Sequence, residues 1–147
     1  MSGTLYFAYG SNMSSAELDA WCPSHRVLGP AELPGHRLAF LRRSIRWGAG
    51  VVDIVPAPGR SVWGVLYALP FGPGELDAKE GAGFAYRRRE VEVTLDDSSF
   101  AAFAYEVIEK EPAEVRPRPD YVDLLVTGAR EHGLPADYIA ELEHYTF

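Results

Sequence analysis

Cysteine is nearly absent from this chain, in which Cys22 is the one cysteine among 147 residues. An internal disulfide and a cysteine-based metal cluster are therefore excluded. No apolar run approaches the ~20 residues of a membrane-spanning helix. The amino terminus also lacks a basic segment followed by an apolar one. We therefore expect no membrane span and no signal peptide, and we expect a cytoplasmic protein.

Positive charge is also in short supply. The chain has 14 Lys and Arg residues against 21 Asp and Glu residues, for a formal net charge of −7. The negative electrostatic potential of such a chain repels nucleic acids and anionic membranes, so neither is an expected partner. The basic stretches Arg42-Arg43 and Arg87-Arg88-Arg89 lie in strand-like surroundings, which favours a solvated strand face over a nucleic-acid groove.

Familiar catalytic motifs are missing as well. The chain has no GxSxG, Walker A or HExxH motif, and Gly48-Ala49-Gly50 and Gly81-Ala82-Gly83 each lack the third glycine of a dinucleotide-binding loop. Cys22 is more typical of a small half-buried thiol than of a nucleophile. We expect no metal, because the histidines are scattered along the chain: His25, His36, His132 and His144. We also expect no cofactor, since the nucleotide-binding motifs are missing.

An apolar stretch leading into a small polar loop is the most informative feature present. Leu5 to Tyr9 reads as a buried strand, and Gly10 allows the backbone to approach a ligand closely. Ser11 and Asn12 are predicted to cap a helix over residues 14–21. Free N–H groups at such a helix start attract carboxylate or phosphate, so the loop is a candidate anion site.

The rest of the chain predicts strands and short helices without regular alternation. With 47% hydrophobic residues, one domain over residues 1–147 can bury a core. The predicted fold is α+β, with a closed or strongly curved sheet and flanking short helices. Residues 51–69 read as a hairpin with a rigid proline turn at 56–59, Leu33-Pro34-Gly35 as a turn, and residues 109–119 as a surface crossing. The six predicted strands are 5–9, 36–43, 51–55, 61–69, 86–95 and 100–108. Within residues 86–95, Val91, Val93 and Leu95 alternate with polar residues as in a half-buried strand. Asp96 to Ser99 are predicted to turn this strand into the next one as a hairpin. Besides the helix over 14–21, the predicted helices are 75–79, one capped by Asp120 and ended at Gly133, and one opened by Pro135.

One acidic residue stands out by its position. Glu80 lies where a short helix ends and the small-residue loop 81–83 begins, with Phe84 and Tyr86 just beyond. Desolvation in an apolar cleft would raise the pKa of such a carboxyl toward the range of a general base. The alternative is an exposed glutamate at a helix end, like Glu75.

Several blocks of this sequence, in order, resemble the γ-glutamylcyclotransferase family over nearly the whole chain. The Tyr9-Gly10-Ser11-Asn12 form is similar to that of γ-glutamylcyclotransferase proper, whereas the γ-glutamylamine and glutathione-specific branches typically carry other residues after the glycine. The blocks are Leu5 to Asn12, Val62-Trp63-Gly64-Val65, Leu76 to Gly81 followed by Tyr86, Pro119-Asp120-Tyr121, and Gly128 to Tyr138.

The resemblance implies a small mixed β-barrel, often dimeric, that releases 5-oxoproline from a γ-glutamyl amino acid. It implies that Glu80 is the catalytic acid/base, with Tyr121 a substrate contact and Tyr86 near the site. The Glu80–Tyr86 interval is one residue shorter than in the animal enzymes. The implied substrate-binding residues are Tyr6, Phe7, Ala8, Tyr9, Gly10, Ser11, Asn12, Tyr86 and Tyr121.

This chemistry accounts for the missing nucleophile, because the α-amine of the substrate attacks its own γ-carbonyl. One carboxylate, Glu80, can carry the proton from the α-ammonium to the leaving nitrogen. Three alternatives stay open. The first is a cyclotransferase for another γ-glutamyl compound, such as a γ-glutamyl amine or a biosynthetic intermediate, selected by residues 44–50 and 109–119. The others are a binding module without catalysis and a structural adaptor.

Overall fold

The computed structural model describes residues 4–73, 76–80 and 85–145. Its strands form one closed barrel in the order β1-β3-β2-β4-β5. The barrel is mixed, because β1 pairs with β3 antiparallel and with β5 parallel. The expected closed sheet with flanking short helices is thereby confirmed. The strands are β1 (Thr4–Ala8), β2 (Arg26–Ser44), β3 (Ala49–Leu69), β4 (Tyr86–Leu95) and β5 (Ser98–Val107), and the helices are α1 (Ser15–Asp19), α2 (Leu76–Glu80), α3 (Pro119–Glu131) and α4 (Ala136–Glu143).

The core fills the barrel and the space beneath its helices. Along β4, Val91 and Val93 point inward while their neighbours are exposed, as the two-residue period of a half-buried strand requires. Helices α3 and α4 cover the barrel with apolar faces. The largest fully buried side chains of the core include Tyr67, Phe7, Phe40, Met13, Leu18 and Ile54.

The predicted hairpin within residues 51–69 is wrong, because β3 runs through the proline segment without a break. Its partner β2 pairs with it from Arg26 opposite Ala68 to Ser44 opposite Ala49. Three register shifts in β2 include one between Pro34 and His36, where a turn was predicted, and His36 lies opposite Pro56. Prolines are tolerated at such irregularities, since the ladder is already interrupted there. Within the part of the chain that the structure describes, the barrel therefore has five strands instead of the six predicted.

The tight turns between neighbouring strands contain glycine or aspartate residues with positive φ. Residues 45–48 form the turn between β2 and β3, and Gly48 adopts a φ of +64° there. Asp96 and Asp97, with φ of 49° and 66°, turn the predicted β4–β5 hairpin. None of the described helices is long and apolar enough to cross a membrane.

The carboxyl-terminal helices begin somewhat differently from the prediction. Asp120 does not cap α3, since Arg118 occupies the N-cap and Pro119 the first helical position, where a missing N–H costs nothing. Gly133 with φ of +69° follows the helix end, and Pro135 precedes α4 as predicted. The polar segment before α3 crosses the surface as expected, and backbone hydrogen bonds join it to β2 and β3. The predicted loop over residues 81–83 lies outside the described residues.

Candidate active site

A cavity of about 290 Å³ opens at one end of the barrel. The loop after β1, the β2–β3 turn, α2, the start of β4 and α3 all contribute to its walls. Of the residues predicted from the sequence to form the site, it brings together Tyr6, Tyr9, Gly10, Ser11, Asn12, Glu80, Tyr86 and Tyr121.

Two of the predicted residues lie elsewhere. Phe7 and Ala8 are fully buried in the core and are not among the described residues that line the cavity. The Phe7 ring packs so tightly against β3 that a Cβ atom on Gly64 would approach it to 2.9 Å. These two residues support the loop from within the barrel.

Asn12 is the polar centre of the cavity. Its side-chain amide nitrogen donates to Glu80 Oε1 at 3.1 Å and to the Tyr6 hydroxyl at 3.0 Å. Its amide oxygen accepts a hydrogen bond from Lys79 Nζ. A flipped amide would face Lys79 with a donor, so this network fixes the orientation of Asn12.

This arrangement corrects the predicted capping role. Ser11 to Met13 form a single turn of 3₁₀ helix, and Ser14 occupies the N-cap of α1. Neither helix start has a side-chain capping hydrogen bond. The amide of Asn12 is turned toward α2, where it links the first loop to Glu80.

Burial dominates the electrostatics of Glu80. Its side chain is half-buried, and desolvation raises the pKa of its carboxyl, while the charge of Lys79 and the hydrogen bond from Asn12 oppose this. Burial likewise lowers the pKa of Lys79, against the attraction of Glu80. A carboxylate with a raised pKa can accept and return a proton more readily than an exposed glutamate.

Two tyrosines form hydrogen bonds with the backbone of one residue of β3, Val52. The Tyr121 hydroxyl accepts a hydrogen bond from Val52 N–H at 3.2 Å. The Tyr86 hydroxyl donates one to the Val52 carbonyl at 3.1 Å. Burial raises the pKa of both phenols above its ordinary value, so both are neutral donors and acceptors. Tyr121 therefore keeps its own hydrogen for a ligand, whereas Tyr86 offers a lone pair.

Sequence reasoning missed several residues of the cavity wall. Arg42 was assigned to a solvated strand face, which is wrong for this residue, since it is half-buried and lines the cavity. Its neighbour Arg43 is exposed, as predicted. Lys79 gave no signal apart from preceding Glu80. Arg46 and Trp47 lie within residues 44–50, the segment expected to influence substrate choice.

The chain matches known proteins along nearly its whole length. Residues 61–142 match the family model of the AIG2-like family. The chain is 32% identical to γ-glutamylcyclotransferase of Bos taurus over 145 residues, which cover 94% of this chain and 76% of the relative. It is also 32% identical to the Homo sapiens γ-glutamylcyclotransferase over 146 residues, or 95% and 77% of the two chains.

Solved structures share the barrel. A γ-glutamyl cyclotransferase superimposes with a TM-score of 0.90 at 29% identity, covering 97% of this chain and 88% of the other. YkqA from Bacillus subtilis superimposes with a TM-score of 0.82 at 25% identity, covering 99% of this chain and 54% of the other.

Together, the closed mixed barrel and the match to the family model define an AIG2-like protein. The chain belongs to the γ-glutamylcyclotransferase family. Its curated relatives and its fold support a cyclotransferase function.

Proposed function

We propose that this protein is an enzyme that releases 5-oxoproline, together with a free amino acid or amine, from a γ-glutamyl compound. The observation that carries the proposal is the hydrogen bond that holds the Glu80 carboxylate against Asn12 of the first loop. This contact holds a carboxyl whose pKa is raised by burial in a cavity that several neutral tyrosines also line, which supports a role as a base. The relatives named γ-glutamylcyclotransferase support the same reaction.

The substrate supplies its own nucleophile. Its α-amine attacks the γ-carbonyl carbon and closes a five-membered lactam. Holding the two groups in the folded geometry can lower the barrier by up to ~7–11 kcal/mol, the range found for well-oriented intramolecular reactions. The protein therefore needs no serine or cysteine nucleophile and no cofactor.

Glu80 moves the proton that this reaction must transfer. In the proposed sequence it takes a proton from the α-ammonium, and the freed amine then forms the new C–N bond. The carbonyl oxygen gains negative charge in the tetrahedral intermediate. Glu80 returns the proton to the leaving nitrogen as the original C–N bond breaks. It then takes the second proton, which the attacking nitrogen loses on becoming the lactam N–H, and passes it to the departing amine, which leaves as an ammonium. The enzyme therefore ends in its starting state.

The polar groups around Glu80 would orient the substrate. The free hydrogen of Tyr121 suits the substrate carboxylate or the oxyanion, and the lone pair of Tyr86 suits an N–H of the substrate. Backbone N–H groups of Gly10, Ser11 and Asn12 are further candidates for either anion. Gly10 leaves room for this approach, since a Cβ atom there would lie 2.9 Å from Val52 Cγ2.

The proposal extends to cellular location and assembly. We propose that the enzyme acts on a small-molecule substrate in the cytoplasm and, from the family resemblance, that it forms a homodimer.

A panel of γ-glutamyl dipeptides, γ-glutamyl amines and larger γ-glutamyl intermediates tests the reaction. The purified protein should release 5-oxoproline from at least one class in an amount equal to the free amine. If no compound yields 5-oxoproline although some of them bind, the protein is a binding module and the proposal is wrong.

A further inference from the structure

The cavity carries more positive charge than the proposed reaction requires. Its lining includes three cationic side chains, Lys79, Arg42 and Arg46, against the single carboxylate of Glu80 among the described residues. This excess stands out in a chain of net charge −7. The γ-glutamyl group itself is neutral overall, because it has one α-carboxylate and one α-ammonium. The surplus cations therefore point to a second anionic group on the ligand.

Lys79 already has partners in the protein. It donates to Asn12 and lies beside Glu80, which balances its charge. Arg42 differs, because its guanidinium makes no hydrogen bond and no ion pair with any residue that the structure describes. A half-buried guanidinium without an acidic partner loses part of its hydration and gains nothing in return. A ligand carboxylate would satisfy it with two parallel hydrogen bonds.

The position of Arg42 separates it from the proposed catalytic group. Arg42 pairs in register with Val51, one residue before Val52, whose backbone forms hydrogen bonds with Tyr86 and Tyr121. Its charge acts on the Tyr86 phenol, where it opposes the effect of burial. Asn12 and Glu80 lie on the first loop and on α2, so the arginine belongs to a different wall of the cavity.

Arg46 extends this wall outward. It lies on the β2–β3 turn, with its guanidinium carbon 5.8 Å from the centre of the Trp47 ring. Trp47 in turn packs edge-on against Tyr121, with ring centres 5.1 Å apart. Two arginines thus border the cavity on the β2–β3 side, one half-buried and one exposed.

On the basis of the proposed function, we propose that Arg42 binds the carboxylate of the leaving amino acid and that Arg46, nearer the solvent, adds a second positive charge. Arg42 is then a specificity-determining residue, which makes the enzyme prefer γ-glutamyl amino acids to γ-glutamyl amines. Glu80 performs the proton transfer for both kinds of substrate.

Two substrates that differ by one carboxylate test this role. γ-Glutamyl-alanine and γ-glutamyl-ethylamine share the same leaving-group carbons apart from that carboxylate. Wild-type protein should turn over the alanine compound with a kcat/KM at least ~10-fold higher, as expected for a charge-assisted pair. Arg42→Gln should reduce kcat/KM for γ-glutamyl-alanine by about 10-fold or more and change it for γ-glutamyl-ethylamine by less than about 2-fold.

Matched variants separate this effect from changes in net charge and folding. Arg43→Gln removes the same charge from the neighbouring exposed position and should leave the ratio of the two kcat/KM values unchanged. Arg46→Gln should lower the ratio less than Arg42→Gln, and Arg42→Lys should restore part of it because it restores the charge.

Each remaining outcome is decisive. Equal turnover of the two substrates by the wild-type protein, or an equal loss on both in Arg42→Gln, would overturn the role of Arg42 and leave the cyclisation reaction standing. If neither substrate nor any other γ-glutamyl compound yields 5-oxoproline, the proposed function fails and the specificity role fails with it.

Discussion

At the scale of single residues, the site depends on a few polar atoms whose hydrogen-bonding roles are already assigned. Asn12 uses both ends of its amide, holding Glu80 on one side and Lys79 on the other. Val52 offers its N–H to Tyr121 and its carbonyl to Tyr86. These contacts hold the acid and the two phenols before a substrate arrives, which is what electrostatic preorganisation requires.

The raised pKa of Glu80 predicts an acid limb in the pH–rate profile. The carboxyl must be ionised to accept a proton from the substrate, and burial shifts its ionisation to higher pH. Activity should therefore fall as pH decreases, with an apparent pKa above the ~4.3 of a free glutamate. Measuring kcat/KM from about pH 4 to pH 8 checks this. A flat profile would show that no buried carboxylate limits the reaction.

At the scale of elements, helix α3 supports the first loop through a close contact. A Cβ atom on Gly128 would lie 2.8 Å from Met13 Cβ and 2.8 Å from Ser14 N. Since one of these neighbours is backbone, the loop itself would have to move. Any displacement of residues 11–14 reaches Asn12 and, through its hydrogen bond, Glu80.

Gly128→Ala should therefore reduce both stability and activity, although alanine normally favours a helix by ~0.5–1 kcal/mol. We expect a loss of about 1–3 kcal/mol in the free energy of unfolding, as for other overpacked positions. We also expect a lower kcat for 5-oxoproline release. Thr127→Ala, at an exposed position of the same helix, should change neither by much. An unaltered kcat in Gly128→Ala would show that the contact with α3 does not control the geometry of the first loop.

The elements show where sequence reasoning succeeds. The period-two pattern of residues 86–95 and the turn at Asp96 and Asp97 depend on local chemistry, and both were predicted correctly. Residues 56–59 were predicted as a turn because two prolines and a glycine usually end a strand. The strand continues there because its partner strand is itself irregular between Pro34 and His36. These residues are about twenty positions away in the sequence, so local patterns could not reveal this.

At the scale of the whole molecule, barrel closure assembles the site from distant parts of the chain. The resemblance indicated Glu80, Tyr86, Tyr121 and residues 6–12, and all of these except Phe7 and Ala8 line one cavity. The arginines of the β2–β3 hairpin could not be added from the sequence. Whether Arg42 or Arg43 faces inward depends on the strand register, and a shift of one residue would exchange them.

The buried charge of Glu80 also affects the stability of the whole fold. Its raised pKa means that the folded state holds this proton more tightly than the unfolded chain does. Stability from this group is therefore present at low pH and decreases as pH rises from the unfolded pKa to the folded pKa. Glu80→Gln removes that dependence while keeping the shape, and glutamine's amide oxygen can still accept from Asn12.

Glu80→Gln should therefore have a higher Tm than the wild-type protein at neutral pH, with the difference shrinking as pH falls through the pKa of Glu80. Lys79 loses its neighbouring carboxylate, but the raised pKa shows that burial outweighs this attraction. Thermal unfolding across this pH range measures the difference. Glu92→Gln, on the exposed face of β4, serves as the control. A lower Tm for Glu80→Gln at neutral pH would contradict the burial of an unfavourable charge.

The same variant provides the most direct test of the central claim, that Glu80 carries the proton during cyclisation. The measurement is the rate of 5-oxoproline release by Glu80→Gln, on a γ-glutamyl dipeptide that the wild-type protein converts, alongside calorimetric binding of that dipeptide. We predict that release falls by at least ~100-fold, within the usual range for loss of a general acid/base, while the dipeptide still binds. Turnover at the wild-type rate in a folded Glu80→Gln protein would contradict the account.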